Sequence, residues 1–254
     1  MKGILVTVLM CILAVPGHAV LCIAHRGFSA VHHENTLEAI AAAWDAGADI
    51  VEIDVRILAD QTMVIFHDPD IDKVDVSTLN YATLQALTPE YHVPTLRQAL
   101  AKGLPGKTML LDLKDNTPRF LEQLVGILGD HESVPCCIIL QDRILVALKY
   151  LRAELQEQIP LFYVASLERQ GTLRMPPDAE ELAAELVEAG VNGISAKGRR
   201  FVTRGYIGAF QKRGLQYFVW TINDLSRMKH YESLGVDGII TDDPKAFGTA
   251  MSRE

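Results

Sequence analysis

Basic charge, cysteine and long apolar runs are all scarce in this chain. The 24 Lys and Arg residues stand against 32 Asp and Glu, giving a formal net charge of −8 and a pI near 5.5. That balance argues against a general nucleic-acid binder, which carries a basic surplus. It leaves anionic small molecules open as substrates, because a bound cation inverts the local field. There are 4 cysteines in 254 residues: Cys11, Cys22 and the adjacent pair Cys136 and Cys137. With Cys11 set apart in the N-terminal segment, the odd remainder does not read as a disulfide framework. Buried free thiols are the expectation instead. The apolar run from Ile4 to Val15 is too short for a comfortable transmembrane helix. No run of like charges, low-complexity tract or heptad pattern appears, which excludes an interaction tail or a coiled coil.

What the N-terminus does have is an export pattern. Lys2 precedes the apolar run, Pro16 ends it, and Gly17-His18-Ala19 places small residues where a signal peptidase reads. Residues 1–19 are expected to be a signal peptide cut between Ala19 and Val20, which would send the mature chain to the periplasm or outside the cell. The plainer alternatives are an N-terminal barrel helix or an uncleaved anchor. The remainder, 20–254, is long enough for one large domain, and 49% apolar content supplies a sizeable core.

From Val20 onward, strand-like and helix-like segments alternate. Strand candidates fall at 20–25, 49–55, 108–114, 136–141, 160–164, 191–195, 216–221 and 236–241. Most are short apolar runs, as parallel strands covered on both faces require. Helical patterns lie between them, near 95–102, 118–129, 143–155, 178–189, 201–213, 224–233 and 244–252. The first is well marked: Asn35 or Thr36 can cap it, Leu37, Ile40, Ala41 and Trp44 form an apolar face, and Gly47 stops it. Eight strands with intervening helices predict an α/β fold, a (β/α)₈ TIM barrel. A doubly wound open sheet is the alternative, weakened because no Gly-rich fingerprint follows the first strand. One segment breaks the alternation. Residues 62–67 read as a strand only a short turn after the second, which suits an antiparallel hairpin. Residues 68–94 then read as a short insertion over the barrel mouth.

Chemistry concentrates at predicted strand ends. The chain reads Ile-Ala-His-Arg-Gly at 23–27, Glu-Asn-Thr at 34–36, Glu-Ile-Asp at 52–54 and Phe-His-Asp at 66–68. Carboxylates are disfavoured inside strands, and positions two apart share a face. Glu52 and Asp54 therefore point the same way, and such a pair repels unless a cation or a shared proton sits between them. Asp112 and Lys114 repeat that spacing at the end of the third strand, and Trp220 ends the seventh. Barrel active sites lie at the C-terminal ends of the strands, so His25, Glu52, Asp54, Asp112, Lys114 and Trp220 converge on one ring. Plainer readings stand beside this. Glu52 and Asp54 can be salt-bridged to Arg26, Arg56 or Lys114, and Asp112 can simply pair with Lys114. His67 can be a turn histidine beside Asp68. Asp242 and Asp243, just before Pro244, read as helix caps. Glu34 reads as part of the helix start.

In order and spacing these motifs, with Trp220-Thr221-Ile222-Asn223-Asp224 and Gly235-Val236-Asp237-Gly238-Ile239-Ile240-Thr241-Asp242, resemble the glycerophosphodiester phosphodiesterase family. The resemblance implies a barrel of the PLC-like phosphodiesterase type and metal-dependent hydrolysis of glycerophosphodiesters to glycerol 3-phosphate and an alcohol. It implies that His25 and His67 act as acid and base, and that Glu52, Asp54 and Asp112 hold one divalent cation. An oxygen-only site suits Ca²⁺ or Mg²⁺. Arg26, Lys114 and Trp220 are the implied substrate contacts. The nucleophile implied is the substrate's own 2-hydroxyl, giving a cyclic phosphate that water opens, with direct attack by water as the alternative. The expected partner is a small glycerophosphodiester or a lysolipid, with no nucleic acid and no stable membrane span. The chain departs from the family at three places. Asp112 stands where the phosphodiesterases usually have Glu, and related phospholipase D toxins place Asp there. The insertion lacks the usual Arg-Thr-Thr segment, and Asp142-Arg143 replaces a usual Ser-Phe pair. A phospholipase D-like enzyme acting on lysophospholipids or sphingolipids is therefore the rival reading, ahead of a non-catalytic phosphate-binding barrel.

Overall fold

A computed structural model describes residues 19–130, 136–140, 150–151, 153–154, 159–168 and 176–252. The expected signal segment up to His18, Asp142, Arg143 and most of the 143–155 helix lie outside the described residues.

Eight parallel strands close into a barrel. They are β1 (Leu21–Ala24), β2 (Ile50–Ile57), β6 (Thr108–Leu113), β7 (Cys136–Leu140), β8 (Leu161–Ala165), β9 (Gly193–Lys197), β10 (Gln216–Trp220) and β11 (Gly238–Thr241). Each pairs with the next in parallel, and β1 pairs with both β2 and β11, which closes the ring. β3 (Met63–Ile65) is the exception, antiparallel to β2 with Val55 opposite Ile65. All eight strand expectations and the hairpin are present.

Alternation decides what fills the barrel. Ile23, Ile50, Leu110, Cys137, Ile139, Phe162, Phe218 and Ile240 form one buried interior cluster. The intervening residues of each strand, such as Cys22, Val51, Ile53, Leu111 and Ile239, belong to a second, larger core beneath the helices. The ring of helices comprises α1 (Leu37–Asp45), α3 (Leu96–Leu100), α4 (Pro118–Asp130), α5 (Ala179–Glu188), α6 (Arg204–Gln211), α7 (Leu225–Leu234) and α8 (Pro244–Ala250). Their starts are fixed by side-chain caps: Thr36 accepts from the Ala39 N–H, Asp178 from two amides of α5, and Thr95 forms a reciprocal capping box with Gln98. In α1 the buried face is Ala39, Ile40, Ala43 and Trp44, while Leu37 is half-buried and Ala41 is exposed. The expected stripe was therefore rotated by about one position, because alanines mark either face equally well. Cys22, Cys136 and Cys137 are buried free thiols.

The insertion has more order than its weak periodicity suggests. It carries a two-stranded ribbon, β4 (Asp70–Ile71) with β5 (Val74–Asp75), a 3₁₀ turn at Val76–Thr78 and helix α2 (Tyr81–Leu87). It closes over its own small core of Leu58, Val64, Phe66, Val76, Leu84 and Val93. Among the described residues no helix is long and apolar enough to cross a membrane.

Candidate active site

The interior strand positions continue into the site by steps of two. His25 lies two beyond Ile23, and Glu52 and Asp54 lie two and four beyond Ile50. Asp112 and Lys114 lie two and four beyond Leu110, Trp220 two beyond Phe218 and Asp242 two beyond Ile240. Each side chain therefore points inward at the C-terminal rim. A cavity of about 180 Å³ opens there. Its polar lining includes His25, Arg26, Glu52, His67, Asp112 and Lys114, and Trp220 forms part of its wall. Trp220 is held by its indole N–H, which donates to the Ser195 carbonyl at 2.9 Å.

The turn after β1 is shaped for this purpose. Arg26 and Gly27 both adopt the left-handed region, with φ of 56° and 83°. A Cβ on Gly27 would come within 2.6 Å of the Ala39 backbone, so only glycine lets the turn press on the start of α1. The turn aims the Arg26 N–H at Glu52 Oε2, 2.9 Å away. The Arg26 guanidinium meets Glu34 at 2.8 Å and Asp54 at 3.1 Å.

Asp54 is enclosed by partners. Lys114 Nζ is 2.8 Å from its Oδ1, and Asn35 donates to its Oδ2 at 2.7 Å. Asn35 also accepts from the Asp54 backbone N–H at 3.1 Å. Burial alone would raise the Asp54 carboxyl, but Lys114 and Arg26 outweigh it and hold it below the usual range. Asp112 sits directly beside Asp54 across the β2–β6 pair and shares the same lysine, with Lys114 Nζ 2.6 Å from Asp112 Oδ2. The plain salt-bridge reading is thus present at Asp54 and Asp112, together with the clustering that metal binding requires.

Glu52 differs. It is buried and makes no ion pair with Lys or Arg among the described residues. Burial, with Asp54 close by, pushes its carboxyl up to about 8. One oxygen from each of Glu52, Asp54 and Asp112 lies within 4.8 Å of the others. Three hard oxygen donors around a buried acid short of positive charge fit a hard divalent cation.

The two histidines enter from different elements and each has a carboxylate behind it. His25 Nδ1 is 2.6 Å from Asp242 Oδ1, and Asp242 also accepts from Ser29 and Asn223. Burial alone would lower the imidazole, but the Asp242 hydrogen bond and the Glu52 charge outweigh it and raise it above 6.5. His67 arrives on the hairpin, since the Phe66 N–H donates to the Asp54 carbonyl at 3.0 Å and Arg56 donates to the His67 carbonyl at 2.6 Å. Its Nδ1 is 2.8 Å from Asp68 Oδ1.

Three residues take roles other than those read from the sequence. Asp243 alone caps α8, through the Ala246 N–H, while Asp242 faces His25. Thr36 caps α1, and Asn35 is buried against Asp54. Glu34 pairs with Arg26 rather than closing the helix start. The inward parity of Asp242 with Ile240 was the available signal for the first of these.

Comparison with known proteins agrees with this geometry. Residues 25–246 match the glycerophosphoryl diester phosphodiesterase family. YhdW of Bacillus subtilis (strain 168) is 29% identical over 240 residues, covering 87% of this chain and 94% of that protein. Lysophospholipase D GDPD1 of Rattus norvegicus is 24% identical over 278 residues, covering 91% of this chain and 86% of that protein. An Oleispira antarctica phosphodiesterase, solved with its product sn-glycerol-3-phosphate, has the same fold, with a TM-score of 0.75 at 23% identity over 91% of this chain and 96% of that one. Because the family match spans nearly the whole barrel and includes the strand-end acids and histidines, the chain belongs to the glycerophosphoryl diester phosphodiesterase family and is a phosphodiester hydrolase.

Proposed function

We propose that this enzyme hydrolyses soluble glycerophosphodiesters to glycerol 3-phosphate and an alcohol by two-histidine acid–base catalysis. The observation that carries the reading is that His25 and His67 line one small cavity with Glu52 and Asp112. Each imidazole keeps a carboxylate on Nδ1, which orients the ring and leaves Nε2 for proton transfer. One histidine takes the proton from the attacking hydroxyl, and the other gives a proton to the departing alcohol oxygen as its bond to phosphorus breaks. Glu52, Asp54 and Asp112 would hold the divalent cation, Ca²⁺ or Mg²⁺. When bound, it supplies positive charge to a non-bridging phosphate oxygen. Lys114 and Arg26 present cationic groups to the same phosphate, and Trp220 shapes the wall beside it.

A second reading is favoured by the lysophospholipase D among the relatives and by Asp112, one methylene shorter than Glu. A substrate panel separates the two. Faster turnover of glycerophosphocholine than of micellar lysophosphatidylcholine or sphingomyelin supports the first; the reverse order replaces it with the second.

We also propose export, with cleavage near Ala19. Val20 is the first buried residue described, and the Leu21 N–H is already bonded to the Asp237 carbonyl at 3.0 Å. A cut there leaves the barrel's first strand intact. The N-terminus of protein from its native host tests this: a start at Val20 is expected, and a start at Met1 or beyond Ile23 contradicts it.

A further inference from the structure

A larger cavity, of about 800 Å³, lies beside the catalytic one. Its floor begins at Gly198, whose N–H donates to the Trp220 carbonyl at 2.9 Å. Trp220 lines the catalytic cavity on its other side, beneath Lys197, whose ammonium stands 5.8 Å from the indole centre. A backbone hydrogen bond thus joins a lining residue of one cavity to a lining residue of the other.

Its walls are unlike the surface of an acidic protein. Among the described residues, Arg199, Arg200, Arg227 and His230 line it, against the one carboxylate of Glu168. Glu168 is already taken by Arg199, whose guanidinium also donates to the Ser166 carbonyl. Arg200 and Arg227 are exposed and make no ion pair within 4 Å among the described residues. Arg227 is nonetheless placed. Its guanidinium lies 5.9 Å over the Tyr231 ring, and the Tyr231 hydroxyl donates to the Arg199 carbonyl at 3.3 Å. A Cβ at position 198 would fall 2.9 Å from both Arg227 Nη2 and the Tyr231 hydroxyl, so glycine there keeps these groups at the cavity floor. Guanidinium groups match phosphate oxygens in pairs, and a concave, partly open pocket suits a small molecule where a membrane surface would select a protruding basic face.

We infer that this cavity is a second, non-catalytic phosphoryl-binding site, built on Arg200 and Arg227. The phosphoryl group can come from a terminal phosphate on the alcohol portion of the substrate, reaching past Trp220, or from a separate phosphorylated ligand. The first source rests on the function proposed above; the second does not.

The test pairs two measurements on the metal-loaded enzyme and its R200A/R227Q variant. Both side chains are exposed and lie outside the catalytic cavity, and an unchanged thermal midpoint verifies the fold. Inorganic phosphate should shift the Arg200 and Arg227 Nε–H resonances saturably, and the shift of neighbouring Tyr231 amide signals should vanish in the variant. Steady-state kinetics then compare glycerophosphoglycerol with and without a terminal phosphate. Substrate as the source predicts KM raised about tenfold or more for the phosphorylated compound alone, with kcat and the other KM within twofold. Phosphate binding with both KM values unmoved assigns the site to a separate ligand. Resonances unmoved by phosphate, with KM changed equally for both compounds or for neither, overturn the inference. If wild type hydrolyses neither these compounds nor glycerophosphocholine, the proposed function fails while the phosphate titration still judges the cavity.

Discussion

His25 Nδ1 stands 2.6 Å from Asp242 Oδ1, joining the residue that follows the first barrel strand to the residue that follows the last. Barrel closure thus creates the contact, and the acid orients the imidazole to which the proposed mechanism assigns a proton transfer. D242N keeps the shape but removes the charge. It should lower the His25 pKa, read by NMR titration of the imidazole, and reduce kcat by about tenfold or more. An unchanged titration would show that Asp242 does not tune His25.

The same pair has a pH signature. His25 is raised above 6.5 in the fold, so its contribution is full below that value and is lost as pH rises through the folded pKa. Asp242 is lowered from 3.8, so its contribution is full above that value and is lost as pH falls through the folded pKa. The stability gap between wild type and D242N should be widest between about pH 4 and 6.5 and should narrow on either side, with a size of about 1–3 kcal/mol. Urea denaturation across pH 3–9 checks it, and a gap that widens above pH 8 goes against the pairing.

Asn35 offers a separate test of the buried carboxylate. It donates to Asp54 Oδ2 and accepts from the Asp54 N–H while itself buried. N35A should cost about 1–3 kcal/mol by leaving that N–H unpaired, and N35D should cost more by setting like charges together. Denaturation midpoints measure both. Equal stability in all three proteins would mean that water or another group replaces the bracket.

For the metal, exhaustive chelation should abolish activity, and Ca²⁺ or Mg²⁺ should restore it. E52Q should raise the ion concentration needed for half-recovery by at least tenfold, because it removes the acid of the cluster that, among the described residues, makes no ion pair with Lys or Arg. Full activity after chelation would make the three carboxylates structural.

Much of this molecule was legible in the chain because barrel strands are buried on both faces and leave short apolar runs. Acids at the ends of such runs, as in Glu52-Ile53-Asp54 and Asp112-Leu113-Lys114, had no packing role and so stood out. The insertion helix α2 did not, since Leu84 is its only fully buried residue and the Asn80 cap does much to define it. Asp242 and Asn35 read as caps because each stands beside a residue that truly caps, and a cap pattern by itself does not say which neighbour turns inward. For Asp242 the two-residue step from Ile240 held the signal, and the closed barrel shows what it meets, the His25 imidazole. The ion pairing of Asp54 needed three dimensions as well, because Arg26, Asn35 and Lys114 reach it from three separate segments.

The central claim is that His25 and His67 carry out proton transfer in hydrolysis of a glycerophosphodiester. Phosphorus NMR of glycerophosphocholine incubated with the metal-loaded enzyme, H25A and H67A tests it most directly. The account predicts that wild type releases glycerol 3-phosphate and that each variant does so about 10²–10⁴ times more slowly. Release at the wild-type rate by both variants would contradict it.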